Sequence, residues 1–181
     1  MDEPRFDPGG FWEFHLSGGA VRTRAGRRVV VLPEDVAAPL LRLALAQGDA
    51  RLLTHLGAAL GAEAMDTLGG DVEARSPETV VGHLKSVVAL FGLGRLSLER
   101  WGDALVVTLD GAPPLPADAL GALLSGLFGA LGEAEARCVP TQDGRFVIVH
   151  ADAVATVRAW AAEGAGPGMI AARLAPSGGA S

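Results

Sequence analysis

The stretch Ala119-Leu-Gly-Ala-Leu-Leu-Ser-Gly-Leu-Phe-Gly-Ala-Leu-Gly132 runs without a single charge. At 3.6 residues per turn, Leu120, Leu124, Leu127, Phe128 and Leu131 share one stripe of a helix. Its back holds Ala122, Ser125, Gly126 and Gly129, a smooth face on which another backbone can lie close. An uncharged helix in a soluble chain must be covered on more than one side, so this one is expected at the centre of the fold. A charged turn follows (Glu133 to Arg137), then the only cysteine, Cys138, an Asp143-Gly144 turn and the apolar strand Phe146-Val-Ile-Val149. Ala134, Ala136 and Cys138 share one strand face opposite Glu135 and Arg137, and Phe146 and Ile148 line the matching face of the partner strand.

Upstream, residues 1–10 read as a flexible leader. Phe11 to Leu16 alternates, with Trp12, Phe14 and Leu16 on one face of a half-buried strand. Short strands at Val21–Arg24 and Arg27–Leu32 follow. Arg22, Arg24, Arg27 and Arg28 crowd together there, either as an anionic-lipid or nucleotide patch or, on the blander reading, as a charged hairpin edge. Pro33-Glu34-Asp35 opens a helix whose expected buried stripe is Val36, Leu40, Leu43 and Ala44. Gly48-Asp49 breaks it from a longer helix near 50–68, with Leu52, Leu53, Leu56 and Leu60 on its stripe. There Gly57, Ala58, Gly61 and Ala62 have the spacing for close helix packing. Ser76-Pro77-Glu78 starts a third helix with Val80, Val81, Leu84, Val87, Val88 and Phe91 inward. The hairpin Arg95–Trp101 and Ala104–Leu109 is expected to carry one apolar face. Past the central segment come a helix near 151–163, a short apolar turn at Met169–Leu174 and a flexible tail.

With no βαβ alternation, this order predicts an α+β fold, a twisted antiparallel sheet packed against a layer of helices. Residues 11–163 form its single domain and 164–181 a short extension and tail. The 181 residues are 49% hydrophobic and only 20% charged, with mean hydropathy +0.31. Such a chain has a large core or hides apolar surface in a partner or around a ligand. A net charge of -6 argues against nucleic acid as partner. One cysteine excludes an internal disulfide and suits a reducing cytoplasm. The central helix is shorter than the roughly 20 residues a bilayer needs, and the acidic start lacks a signal peptide's apolar region. The expectation is a soluble cytoplasmic protein, not a transmembrane one.

Gly26-Arg-Arg-Val-Val-Val-Leu-Pro33, the pairs Leu56-Gly57 and Leu60-Gly61, Leu90-Phe-Gly-Leu-Gly94 before a hairpin, and Leu124-Ser-Gly-Leu-Phe-Gly-Ala-Leu131 with Cys138 ahead of Asp143-Gly144 resemble the 4-vinyl-reductase-like domain. The likeness spans roughly residues 25–150. That family shares its fold with subunits of the TRAPP vesicle-tethering complex. The resemblance implies a TRAPP-like domain whose helices pair in a homodimer, and an apolar cavity for a small hydrophobic molecule or acyl chain. Zinc-bearing members use a second cysteine just past the Asp-Gly turn, where this chain has Arg145 and Phe146. No metal and no other cofactor is therefore expected. The haem-based nitric-oxide sensor domain, a relative with a Tyr-x-Ser-x-Arg clamp, is excluded by the absence of tyrosine.

His15, His55, His83 and His150 lie on separate elements, and no nucleophile–base arrangement is legible. No catalytic residue is expected, and the protein is not read as an enzyme. Two readings remain. In one, the domain binds a hydrophobic small molecule or lipid in a cavity lined by Leu60, Glu63, Leu84, Val88, Phe91, Leu124, Phe128 and Cys138. In the other, it is an adaptor that dimerises through the helices at 34–68 and docks a partner protein. Glu63 is either a ligand anchor or a snorkelling side chain at a stripe's edge. Cys138 is either a thiol lining the cavity or an inert small hydrophobe.

Overall fold

The structure is a computed structural model that describes residues 5–46, 51–70 and 72–175. Its element order is β1 (Trp12–His15), β2 (Ala20–Thr23), β3 (Arg28–Val29), α1 (Glu34–Ala46), α2 (Arg51–Leu68), α3 (Pro77–Leu90), β4 (Arg95–Trp101), β5 (Ala104–Asp110), α4 (Ala117–Gly129), β6 (Ala136–Pro140), β7 (Arg145–His150), α5 (Val154–Ala162) and α6 (Pro167–Leu174). The fold is α+β, with antiparallel sheets packed against helices.

The uncharged helix is central. Leu123, Leu124 and Leu127 on α4 are fully buried, and Ala119, Gly121, Gly126 and Phe128 are buried beside them. α2 covers one side and β6 another. Contact with α2 is backbone to backbone. A Cβ on Gly126 would strike the Thr54 carbonyl, one on Gly57 the Leu123 carbonyl, and one on Gly61 would lie 2.6 Å from the Leu127 carbonyl oxygen. Gly57, Gly61 and Gly126 are therefore required by the approach, whereas Gly129 has open space around it. α3 starts on the expected cap, with the Thr79 N–H donating to Ser76 Oγ at 3.2 Å.

The main sheet has the order β4-β5-β7-β6. Pairing places Leu96, Val107, Phe146 and Cys138 on one face, over which α4 lies. The opposite face carries Val106, Val147, Val139 and Ala104, and it too is buried. β5 is thus covered on both faces where one apolar face was expected for the hairpin, while on β4 Arg95 and Glu99 of the second face stay exposed. The reason lies downstream. The turn expected at Met169–Leu174 belongs to a helix, α6, that starts at Pro167, and with Val157 and Ala161 of α5 its Ile170 and Ala171 make a second core on that face.

Two apolar stripes point the other way from expectation. Phe14 and Leu16 are exposed, because β1 leaves the body after Phe11 and Trp12 and its small sheet β1-β2-β3 overhangs. β3 pairs only at Arg28 and Val29, so Val30, Val31 and Leu32 continue unpaired and exposed. On α1 the expected inward residues Val36, Leu40 and Leu43 face solvent, while Ala38 is buried and Leu41 and Leu45 pack on the core. This helix is apolar on both faces, and the alanine side permits the closer approach. Leu52 of α2 is likewise exposed. The Gly48-Asp49 break lies outside the described residues.

Candidate functional site

Where β3 ends and α1 begins, the reversed stripe leaves an apolar groove of about 330 Å³. Val29 to Leu32 form one wall, and Ala37, Leu40 and Leu41 of α1 the other. Leu56 of α2 and Leu90, Phe91 and Leu93 at the end of α3 form the floor. Trp12 closes one end, its ring 5.1 Å from that of Phe91. Pro33 follows the Val-Val-Leu run and has no N–H to pair, which helps leave this edge free. Around the groove Val30 is 79% exposed, Val31 70%, Leu40 53% and Leu43 60%. No residue of the lining carries a titratable side chain. The surface can desolvate apolar matter, and it offers nothing to move a proton or hold a charge.

The eight residues expected around a cavity separate into three settings. Leu60, Leu84, Val88, Leu124 and Phe128 sit together in the main core, where they pack on one another. Phe91, half-buried, lines the groove. Cys138 belongs to the main core as well and also borders a cleft of about 640 Å³ between the small-residue back of α4, β6 and α5. Its backbone N–H donates to Ser125 Oγ at 2.8 Å, and burial pushes its thiol up to about 12, against a lowering by Ser125. A thiol so protonated is a poor nucleophile at neutral pH.

Glu63 lies in a third place, at the foot of the small sheet. It is buried, accepts from the Thr23 hydroxyl at 3.1 Å and lies 3.1 Å from Arg27 Nε. Arg27 also binds Asp66. Burial raises the Glu63 carboxyl above its ordinary 4.5, while the Thr23 hydrogen bond and the Arg27 charge lower it and Asp66 adds to the rise. The side chain is thus an internal anchor that fastens β2 to α2.

The four clustered arginines separate as well. Arg22 donates to the Gly26 carbonyl at 2.8 Å, Arg28 reaches the Gly19 carbonyl at 3.4 Å, and Arg24 turns toward α2. Of the histidines, His83 is buried between α2 and α3 with Nδ1 2.9 Å from Thr67 Oγ1. His15, His55 and His150 are exposed. Among the described residues no group of three His, Cys, Asp or Glu is placed to hold a metal, and no helix is long and apolar enough to cross a membrane.

The groove residues Val30, Val31, Leu32, Leu40 and Leu41 were not singled out as a site by the sequence. The signal was present as the run Val29-Val-Val-Leu32, which reads equally well as a strand interior. Compared with family models, with curated proteins and with solved structures, the chain matches none of them.

Proposed function

We propose that this chain is a non-catalytic assembly module that pairs with a second copy through the apolar face of residues 30–43. The observation carrying this reading is the exposure of Val30, Val31, Leu32, Val36, Leu40 and Leu43 along one connected segment. Large exposed apolar patches mark interaction surfaces. Completing the burial of one large aliphatic side chain returns about 1–2 kcal/mol, and association costs about 4–15 kcal/mol. Six side chains at that rate return about 6–12 kcal/mol, which lies inside that range. Two-fold pairing buries the same six side chains on both copies and doubles the return to about 12–24 kcal/mol, near or above the upper end of that cost. The residues that resemble the 4-vinyl-reductase-like domain support the same reading, since that resemblance implies helices paired in a homodimer. A lone buried cysteine fits a place in the cytoplasm.

The test is the mass in solution. Light scattering at micromolar concentration is expected to give a dimer, and Leu40→Glu with Leu43→Glu a monomer of unchanged far-UV circular dichroism. A wild-type chain that stays monomeric under those conditions sinks the proposal.

A second reading is favoured by the groove itself. Its volume of about 330 Å³ falls at the lower end of small-molecule sites, and an apolar lining is usual for them. In this reading the occupant is a hydrophobic small molecule or acyl chain held by Trp12, Leu56 and Phe91. Native mass spectrometry after gentle purification is expected to detect it as added mass. Wild-type protein free of such mass, in a dimer that hides the groove, decides for assembly alone.

A further inference from the structure

A cleft of about 530 Å³ opens on the far side of the small sheet, between the segment before β1, the β2–β3 turn, the end of α2 and the approach to α3. Its charged lining consists of Arg5, Arg24, Arg75, Glu63 and Asp66. The two acids are already engaged. Arg27 bridges both, and Thr23 donates to Glu63. The three arginines are different. Among the described residues Arg5, Arg24 and Arg75 have no carboxylate partner and no acceptor for their side-chain donors. Arg75 Nε is buried with its hydrogen bond unmade, and a buried donor left in that state points to a group that belongs there.

We infer that this cleft binds a phosphomonoester dianion, with Arg5, Arg24 and Arg75 around the phosphoryl oxygens. A terminal phosphoryl group presents three oxygens to three guanidinium forks, whereas a carboxylate presents two. A nucleic-acid backbone is the wrong shape for one concave cleft, and it would meet a chain of net charge -6. The site is separate from the apolar groove and does not depend on pairing. The same phosphate chemistry is offered by a soluble ester and by a phosphatidic acid headgroup.

Calorimetric titration of the full chain at constant ionic strength, with phenyl phosphate and with inorganic phosphate, tests the site. Co-sedimentation with phosphatidylcholine vesicles doped with phosphatidic acid tests the second source. Both are expected to bind, since the phosphoryl oxygens are what the three arginines engage. Arg24→Gln and Arg75→Gln are each expected to weaken binding about tenfold, the loss of one charge-assisted hydrogen bond. Arg95→Gln, which instead breaks the exposed pair with Asp110, is expected to leave affinity unchanged. Vesicle retention that Arg24→Gln abolishes, without binding of the soluble esters, supports the site and assigns the phosphate to a headgroup. Absence of both kinds of binding, or binding that Arg24→Gln leaves intact, overturns the inference. Arg24 is on an exposed turn, so that variant remains informative even if Arg75→Gln fails to fold.

Discussion

At the scale of single residues, glycines on α2 and α3 make opposite predictions. Gly57 faces the backbone of α4 with no room for a methyl group, whereas Gly82 of α3 has open space around it. Gly57→Ala is expected to cost about 3 kcal/mol or more by overpacking. Gly82→Ala is expected to gain about 0.5–1 kcal/mol from helix propensity. Urea unfolding of both variants checks the contrast, and similar effects at the two sites would contradict the close helix approach. Glu63 makes a prediction in pH. Burial holds its carboxyl above the ordinary 4.5, so the folded chain binds that proton more tightly than the unfolded one. The resulting contribution to stability is complete below the unfolded value and is lost as pH rises through the raised value. Glu63→Gln keeps an acceptor for Thr23 and removes the titration. The variant is expected to gain on wild type as pH climbs from about 4, and parallel stability profiles would rule Glu63 out as the source.

Elements differ in how firmly they are tied. α3 has Ser76 as its cap, Pro77 in its first turn and Leu84, Val87 and Val88 in the core. Removing the cap with Ser76→Ala is expected to lower stability by about 1 kcal/mol, measured as a shift of the thermal midpoint with unchanged helix content. α1 stands at the other extreme, with Ala38 its one buried residue and Pro39 inside the helix. A proline there removes a ladder hydrogen bond, so α1 depends on what covers its outer stripe. The contrast between α3 and α1 also explains how legible each was. On α3 the apolar stripe and the cap agree and select one face. On α1, only Arg42 is charged beyond the first turn, so periodicity finds a helix and cannot select its inner side. The β1 strand shows the same ambiguity, since alternation identifies a face but not the body that ought to lie against it.

For the whole molecule, the main sheet divides two cores, one under α2, α3 and α4 and a smaller one under α5 and α6. The high apolar content is spent in part on covering both sheet faces. What remains outside gathers around residues 30–43, and this remainder underlies the proposed pairing. If pairing occurs, unfolding is linked to dissociation, and the thermal midpoint is expected to rise with protein concentration. Scanning calorimetry over a hundredfold range, about 2.7 kcal/mol of mass action, checks this. A midpoint independent of concentration, together with a monomeric mass, would remove the pairing.

The sequence by itself determined the order of the elements as far as α5 and the α+β class, because caps, turn glycines and the 3.6- and 2-residue periods are local physics, while it read the segment of α6 as a turn. It also determined that the helix around Leu124 must be covered on several sides, since fourteen uncharged residues leave it no solvent face. Only the tertiary structure decided which apolar faces found a cover. The order β4-β5-β7-β6 brings α5 and α6 onto the second sheet face, and the overhang of the small sheet leaves Phe14, Val30 and Val31 outside. Tertiary structure also brought Arg24 and Arg75 to one cleft while drawing Arg27 aside to Glu63 and Asp66. Such encounters join residues far apart in the chain, and no local period or spacing encodes them.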